Sequence, residues 1–60
     1  MKLEELTDDA IDYIFDNINE DKVTGWELNF IHSTADQWEH RRWLSDKQKE
    51  ILGQIWDKQP

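Results

Sequence analysis

Sixty residues with fourteen acidic and seven basic side chains give a formal charge of −7, and a chain this short builds one domain that buries only about 60% of the surface its unfolded form exposes. The absence of Cys excludes disulfide staples and thiolate metal sites, and no apolar run approaches the ~18 residues a membrane span requires. The sign of the charge argues against general binding to a phosphate backbone, which needs clustered Lys and Arg.

The acidity is uneven. Residues 1–23 hold eight acids against two bases, whereas residues 24–60 hold six against five, an asymmetry of the kind that marks a surface meant for a partner. Met1-Lys2-Leu3-Glu4-Glu5 has no apolar h-region, so a cytoplasmic setting is expected. Four Trp in so short a chain supply aromatic area for a core or a binding face.

The first helix is predicted near 8–20. Thr7 is its N-cap, Asp8 and Asp9 suit the positive end of the helix dipole, and Leu6 with Ile11 forms a hydrophobic staple. At about 100° per residue, Leu3, Leu6, Ala10, Tyr13, Ile14 and Ile18 share one side, widened by Ile11 and Phe15. Glu5, Asp8, Asp9, Asp12, Asp16 and Glu20 fall opposite. Asp8, Asp12 and Asp16 recur every fourth residue, where like charges repel by a few tenths of a kcal/mol per pair, and no Lys or Arg within the helix offsets them. Two readings follow: a solvated coat that keeps the chain soluble, or carboxylates offered at regular spacing to a basic protein. In the second, their spacing approximates that of phosphates along a DNA strand, and the surface would compete with nucleic acid. Calcium has no D-x-[DN]-x-[DN]-G loop to hold it.

The second helix is predicted near 25–42. Thr24-Gly25-Trp26-Glu27 is a capping box stapled by Val23 and Leu28. Trp26, Phe30, Ile31, Thr34, Ala35 and Trp38 make a broad apolar side, read first as core. Across the helix, His32, Asp36 and His40 recur every fourth residue beside Glu39, a spacing compatible with metal ligation and equally with an ordinary wet face. No H-E-x-x-H motif, pocket or nucleophile is legible, so neither enzyme chemistry nor a cofactor is expected. Trp38-Glu39-His40-Arg41-Arg42-Trp43 holds the basic cluster. Arg41, Arg42 and Trp43 could grip phosphate and stack on bases. The simpler reading is that the arginines suit the helix C-terminus or pair with the acidic first helix, of this chain or of a second copy.

The third helix is predicted near 46–57 from a second capping box, Ser45-Asp46-Lys47-Gln48. Ile51, Leu52, Ile55 and Trp56 form its stripe, and Gly53 within it costs roughly 1 kcal/mol against Ala unless it permits a close helix approach. Connections near Asp21–Thr24 and Trp43–Ser45 are short, which favours antiparallel or angled neighbours.

Trp26-Glu27-x-x-Phe30, Gln37, Leu44-Ser45-Asp46-Lys47-Gln48, Ile51-Leu52 and Ile55-Trp56 together resemble a short segment of phage and bacterial proteins of uncharacterised or nucleic-acid-related type. The resemblance spans residues 24–58. It implies a helical hairpin in a phage or mobile-element setting and carries over no catalytic residue. The acidic first helix lies outside it.

The expected fold is therefore an all-α, three-helix single domain over 1–60, an acidic helix (1–23) set on a helical hairpin (24–60). Leu6, Ala10, Ile14, Ile18, Phe30, Ile31, Ala35, Trp38, Ile51, Leu52, Ile55 and Trp56 are its expected core. The expected function is a non-enzymatic interaction module or inhibitor, of the anti-restriction or anti-CRISPR type. It would bind a basic, nucleic-acid-handling protein through Glu5, Asp8, Asp9, Asp12, Asp16 and Glu20. A nucleic-acid accessory using Arg41, Arg42 and Trp43, and a metal-binding domain using His32, Asp36 and His40, are the alternatives. No membrane partner is expected, and self-association is compatible with the charges.

Overall fold

The computed structural model describes residues 2–59. Three helices, α1 (Asp8–Asn17), α2 (Gly25–Arg41) and α3 (Asp46–Asp57), are joined by short connections. Single 3-10 turns at Leu3–Glu5 and Glu20–Lys22 precede and follow α1. No strand occurs among the described residues, and no helix is long and apolar enough to cross a membrane. The all-α, three-helix expectation holds.

All three capping signals act where the sequence places them. Thr7 Oγ1 accepts the Ala10 N–H at 3.3 Å. Glu27 Oε1 accepts the Thr24 N–H at 2.9 Å. Ser45 Oγ accepts from the Gln48 N–H at 3.1 Å while Gln48 Oε1 accepts from the Ser45 N–H at 2.9 Å, so two donors otherwise orphaned at the start of α3 are satisfied reciprocally.

The end of α1 departs from expectation. The helix stops at Asn17, and Ile18 is extended with ψ 132°. Two asparagines offer the backbone alternatives to the helix. Asn17 Nδ2 donates to the Tyr13 carbonyl at 2.8 Å, and Asn19 Oδ1 accepts the Asp21 N–H at 3.0 Å, capping the next 3-10 turn. The Asn19 N–H donates to Gln59 Oε1 at 2.7 Å, which fastens this corner to the end of the chain. Glu20 thus leaves the α1 stripe.

Long-range polar pairs fix the helix directions. Glu27 at the start of α2 meets Lys58 just past α3, and Gln37 late in α2 exchanges hydrogen bonds with Gln48 early in α3, so α2 and α3 form an antiparallel hairpin. Asp12 meets Arg42, and Glu20 meets His32, so α1 also runs antiparallel to α2. The acidic helix is part of the same core rather than an appendage: Leu6, Ile11 and Ile14 cluster with Trp38, Leu44 and Leu52. Ile31 and Ile55 are equally buried.

Of the expected core, Ala10, Ile18, Phe30, Ala35, Ile51 and Trp56 are only half-buried. Their places at the centre go to Ile11, which sits at the edge of the α1 stripe, and to Leu44, which plugs the connection between α2 and α3. Thr34 is buried with its hydroxyl donating to the Phe30 carbonyl at 2.7 Å. Tyr13 is 60% exposed, and so are Trp26 and Trp43 at 59% each. Three short helices do not cover every aromatic ring they carry.

Leu52 is fully buried among side chains contributed by α1, α2 and the α2–α3 connection. Leu52→Ala should cost about 2–5 kcal/mol, a large part of the ~0.05–0.15 kcal/mol per residue typical of a folded domain. Urea melts followed by circular dichroism measure it, and a loss under about 1 kcal/mol would place the packing centre elsewhere.

Candidate interaction surface

The six carboxylates expected to form one stripe have three different fates. Glu5 and Glu20 lie in the 3-10 turns and are engaged within the chain: Glu5 Oε2 accepts the Lys2 N–H at 3.2 Å, and Glu20 Oε1 lies 3.0 Å from His32 Nε2. Asp8, Asp9 and Asp16 are exposed and make no hydrogen bond or ion pair among the described residues.

Asp12 is different in kind. Its two oxygens accept from Arg42 Nη1 at 2.7 Å and Nη2 at 3.1 Å, a bidentate pair, and Oδ1 also accepts from Trp38 Nε1 at 2.8 Å. The Arg42 guanidinium lies over the Trp38 ring, 4.3 Å from its centroid. Hydrogen bonds from Arg42, then from Trp38, hold the Asp12 carboxyl at about 2, below its ordinary 3.8. Asp12 in turn raises Arg42, with smaller contributions from Asp8 and Asp9. The reading of Asp12 as a free member of the stripe is corrected: it is an internal acceptor. The like-charge series Asp8, Asp12, Asp16 is neutralised at its middle by a cation from the end of α2.

The same pair divides the basic cluster. Arg42 takes a left-handed backbone conformation (φ 53°, ψ 36°) just past α2, its N–H donating to the Trp38 carbonyl at 2.9 Å. It is the one non-Gly residue with positive φ among those described, at a position where glycine is usual. Arg41 and Trp43 remain exposed, and the Trp43 carbonyl accepts from Gln37 Nε2 at 3.0 Å. Grouping Arg41, Arg42 and Trp43 as one contact surface is therefore corrected, because Arg42 is committed to α1.

His32, Asp36 and His40 do not converge. His32 turns to Glu20, while His40 Nδ1 reaches the Asp36 carbonyl at 2.8 Å and the Asp36 carboxylate at 3.4 Å. Those two contacts, the carbonyl first, raise the His40 pKa above its ordinary 6.5. No three His, Asp or Glu side chains are grouped to hold a metal ion among the described residues, which removes the geometry that the metal alternative needs. Ser33, Asp36, Gln37, His40 and Arg41 line an open depression of about 470 Å³ along α2, a face of mixed charge.

Two features escaped the sequence reading. The capping carboxylate of Glu27 is 3% exposed, and its second oxygen takes the Lys58 ammonium at 2.5 Å. That contact, followed by the Thr24 N–H, lowers the Glu27 pKa. Tyr13, assigned to the apolar side by its spacing, stands at the surface with its ring in an edge contact with Trp56, centroids 5.8 Å apart at 85°. No family model, no curated protein and no solved structure matches the chain. Surface chemistry and geometry carry the functional reading.

The acid response follows from Asp12. A carboxyl depressed on folding contributes stability that is complete above its unfolded value, near 3.8, and is lost as pH falls toward its folded value of about 2. Asp12→Asn should be less stable at neutral pH and should show a shallower decline through that window, with Glu27 supplying part of the remainder. Urea melts at stepped pH measure both slopes, and identical slopes would mean that Arg42 does not hold Asp12 in solution.

Proposed function

We propose that this protein is a small, non-enzymatic interaction module or inhibitor that offers the outer face of α1 to a basic, nucleic-acid-handling protein. The observation that carries this reading is selective pairing. The fold engages Asp12, Glu20 and Glu27 with Arg42, His32 and Lys58, yet leaves Asp8, Asp9 and Asp16 on one ten-residue helix exposed, with no hydrogen bond or ion pair to their carboxylates among the described residues. A single-sign face on a rigid helix steers an oppositely charged protein toward it and competes for a groove that otherwise takes nucleic acid. The resemblance across residues 24–58 gives this proposal its phage or mobile-element setting and its anti-restriction or anti-CRISPR type. The competing nucleic-acid reading loses Arg42 to Asp12 and is left with Arg41 and Trp43.

Affinity capture from a nuclease-treated bacterial lysate tests the proposal. The wild-type chain should retain basic nucleic-acid-binding proteins that added salt or double-stranded DNA releases. Combining Asp8→Asn, Asp9→Asn and Asp16→Asn should weaken that retention about tenfold with helicity unchanged. Equal retention of the same proteins by the triple variant would refute the reading.

A further inference from the structure

Tyr13 breaks the pattern of its helix. By spacing it belongs with Ala10, Ile14 and Ile18, yet it is 60% exposed. Its ring nonetheless packs in an edge contact with Trp56 of α3. Asp9 and Asp16 stand one helical turn before and after it on the same side of α1. Both are exposed and unpaired among the described residues.

An aromatic ring between two free carboxylates suits one kind of side chain. A guanidinium is planar and weakly hydrated, stacks on a ring face and bonds a carboxylate through two donors at once, whereas an ammonium is a compact, strongly hydrated point charge. The chain itself shows the arrangement a short distance away. The Arg42 guanidinium lies over Trp38 and gives two hydrogen bonds to Asp12. At Tyr13 the ring and the carboxylates are present, and among the described residues no cation lies over the ring.

We propose that Tyr13, flanked by Asp9 and Asp16, receives an arginine side chain of the basic partner. This rests on the reading of α1 as a docking face and specifies its occupant. The ring makes the difference between a face that attracts any cation and one that selects arginine. Since the ring already packs against Trp56, it has less conformational freedom to lose on binding than an isolated surface ring.

Calorimetric titration with blocked hexa-arginine and hexa-lysine peptides at low salt tests it. The wild-type chain should bind the arginine peptide about two- to fivefold more tightly than the lysine peptide, as expected for an exposed cation–π contact. Tyr13→Phe should keep that preference and Tyr13→Leu should erase it, leaving the salt-dependent attraction common to both peptides. Equal affinities in the wild type, or a preference that survives Tyr13→Leu, would overturn the proposal. If Tyr13→Leu does not fold, the Tyr13 ring protons of the wild type decide, since they must shift on adding the arginine peptide and more than on adding the lysine peptide. Failure of the underlying reading looks different: neither peptide would lose affinity when Asp8, Asp9 and Asp16 are changed to Asn. Loss of affinity for both peptides in that variant, with no discrimination by the wild type, would sink only the role given to Tyr13.

Discussion

The contact of Arg42 with Asp12 over the Trp38 ring decides how the rest of the chain is arranged. It joins the middle of α1 to the point where α2 ends. Arg42 takes the left-handed conformation there, which glycine reaches without a Cβ penalty. Glycine would close the helix equally well, but it would leave Asp12 without its guanidinium and the Trp38 ring without the cation over it. The left-handed turn also sets the direction of the next two residues. Trp43 goes outward and Leu44 goes inward, where it is 1% exposed. One residue thus settles the α2 terminus, the filling of the core at the connection, and the loss of both a carboxylate and an arginine from the faces where sequence spacing places them.

Local signals were legible; of the distant ones, charge sign alone pointed to a pairing of the arginines with the acidic first helix, which Arg42 makes and Arg41 does not. Thr7, Thr24 and Ser45 start their helices because caps bond within three residues, and α2 and α3 end within a residue of where spacing predicts. The end of α1 depends on Asn19 reaching Gln59, forty residues away in the chain, which no helical periodicity encodes. Asp12 with Arg42 and Glu27 with Lys58 are separated by 30 and 31 residues, so spacing does not say which carboxylate of the first helix an arginine takes, and it leaves Glu27 as a cap alone. The core misplacements have a related origin. A helix packed by two others buries a broad arc, and the choice between Ile11 and Tyr13 at its margins depends on where α3 lies, not on the sequence of α1. Leu44 was hidden by its position in a connection, where spacing carries no information about direction.

The remaining polar surface divides by sign. Along α2, His32, Asp36, His40 and Arg41 alternate in charge character, and His32 and His40 already have carboxylate neighbours. Both histidines of this face are thus engaged within the chain, and a partner gains little by displacing exposed pairs of this type. The exposed Trp26 and Trp43 stand near opposite ends of a seventeen-residue helix, about 25 Å apart at 1.5 Å per residue. They form no common patch, and single exposed hydrophobic side chains are ordinary on soluble domains.

The outer face of α1 is the exception on both counts. Its exposed carboxylates share one sign, and Arg42, which is bonded to Asp12 and feels Asp8 and Asp9 only more weakly, relieves their mutual repulsion in part. Its exposed aromatic ring sits within reach of that charge instead of standing alone. A domain of sixty residues has only a few kcal/mol of stability in total, and repulsion of a few tenths of a kcal/mol per pair is a measurable fraction of it. A basic partner would gain attraction from each carboxylate and would also remove that repulsion. A face that costs the isolated fold stability therefore gains from being covered, and the exposed ring beside Asp9 and Asp16 gives the covering surface a geometry to match as well as a charge.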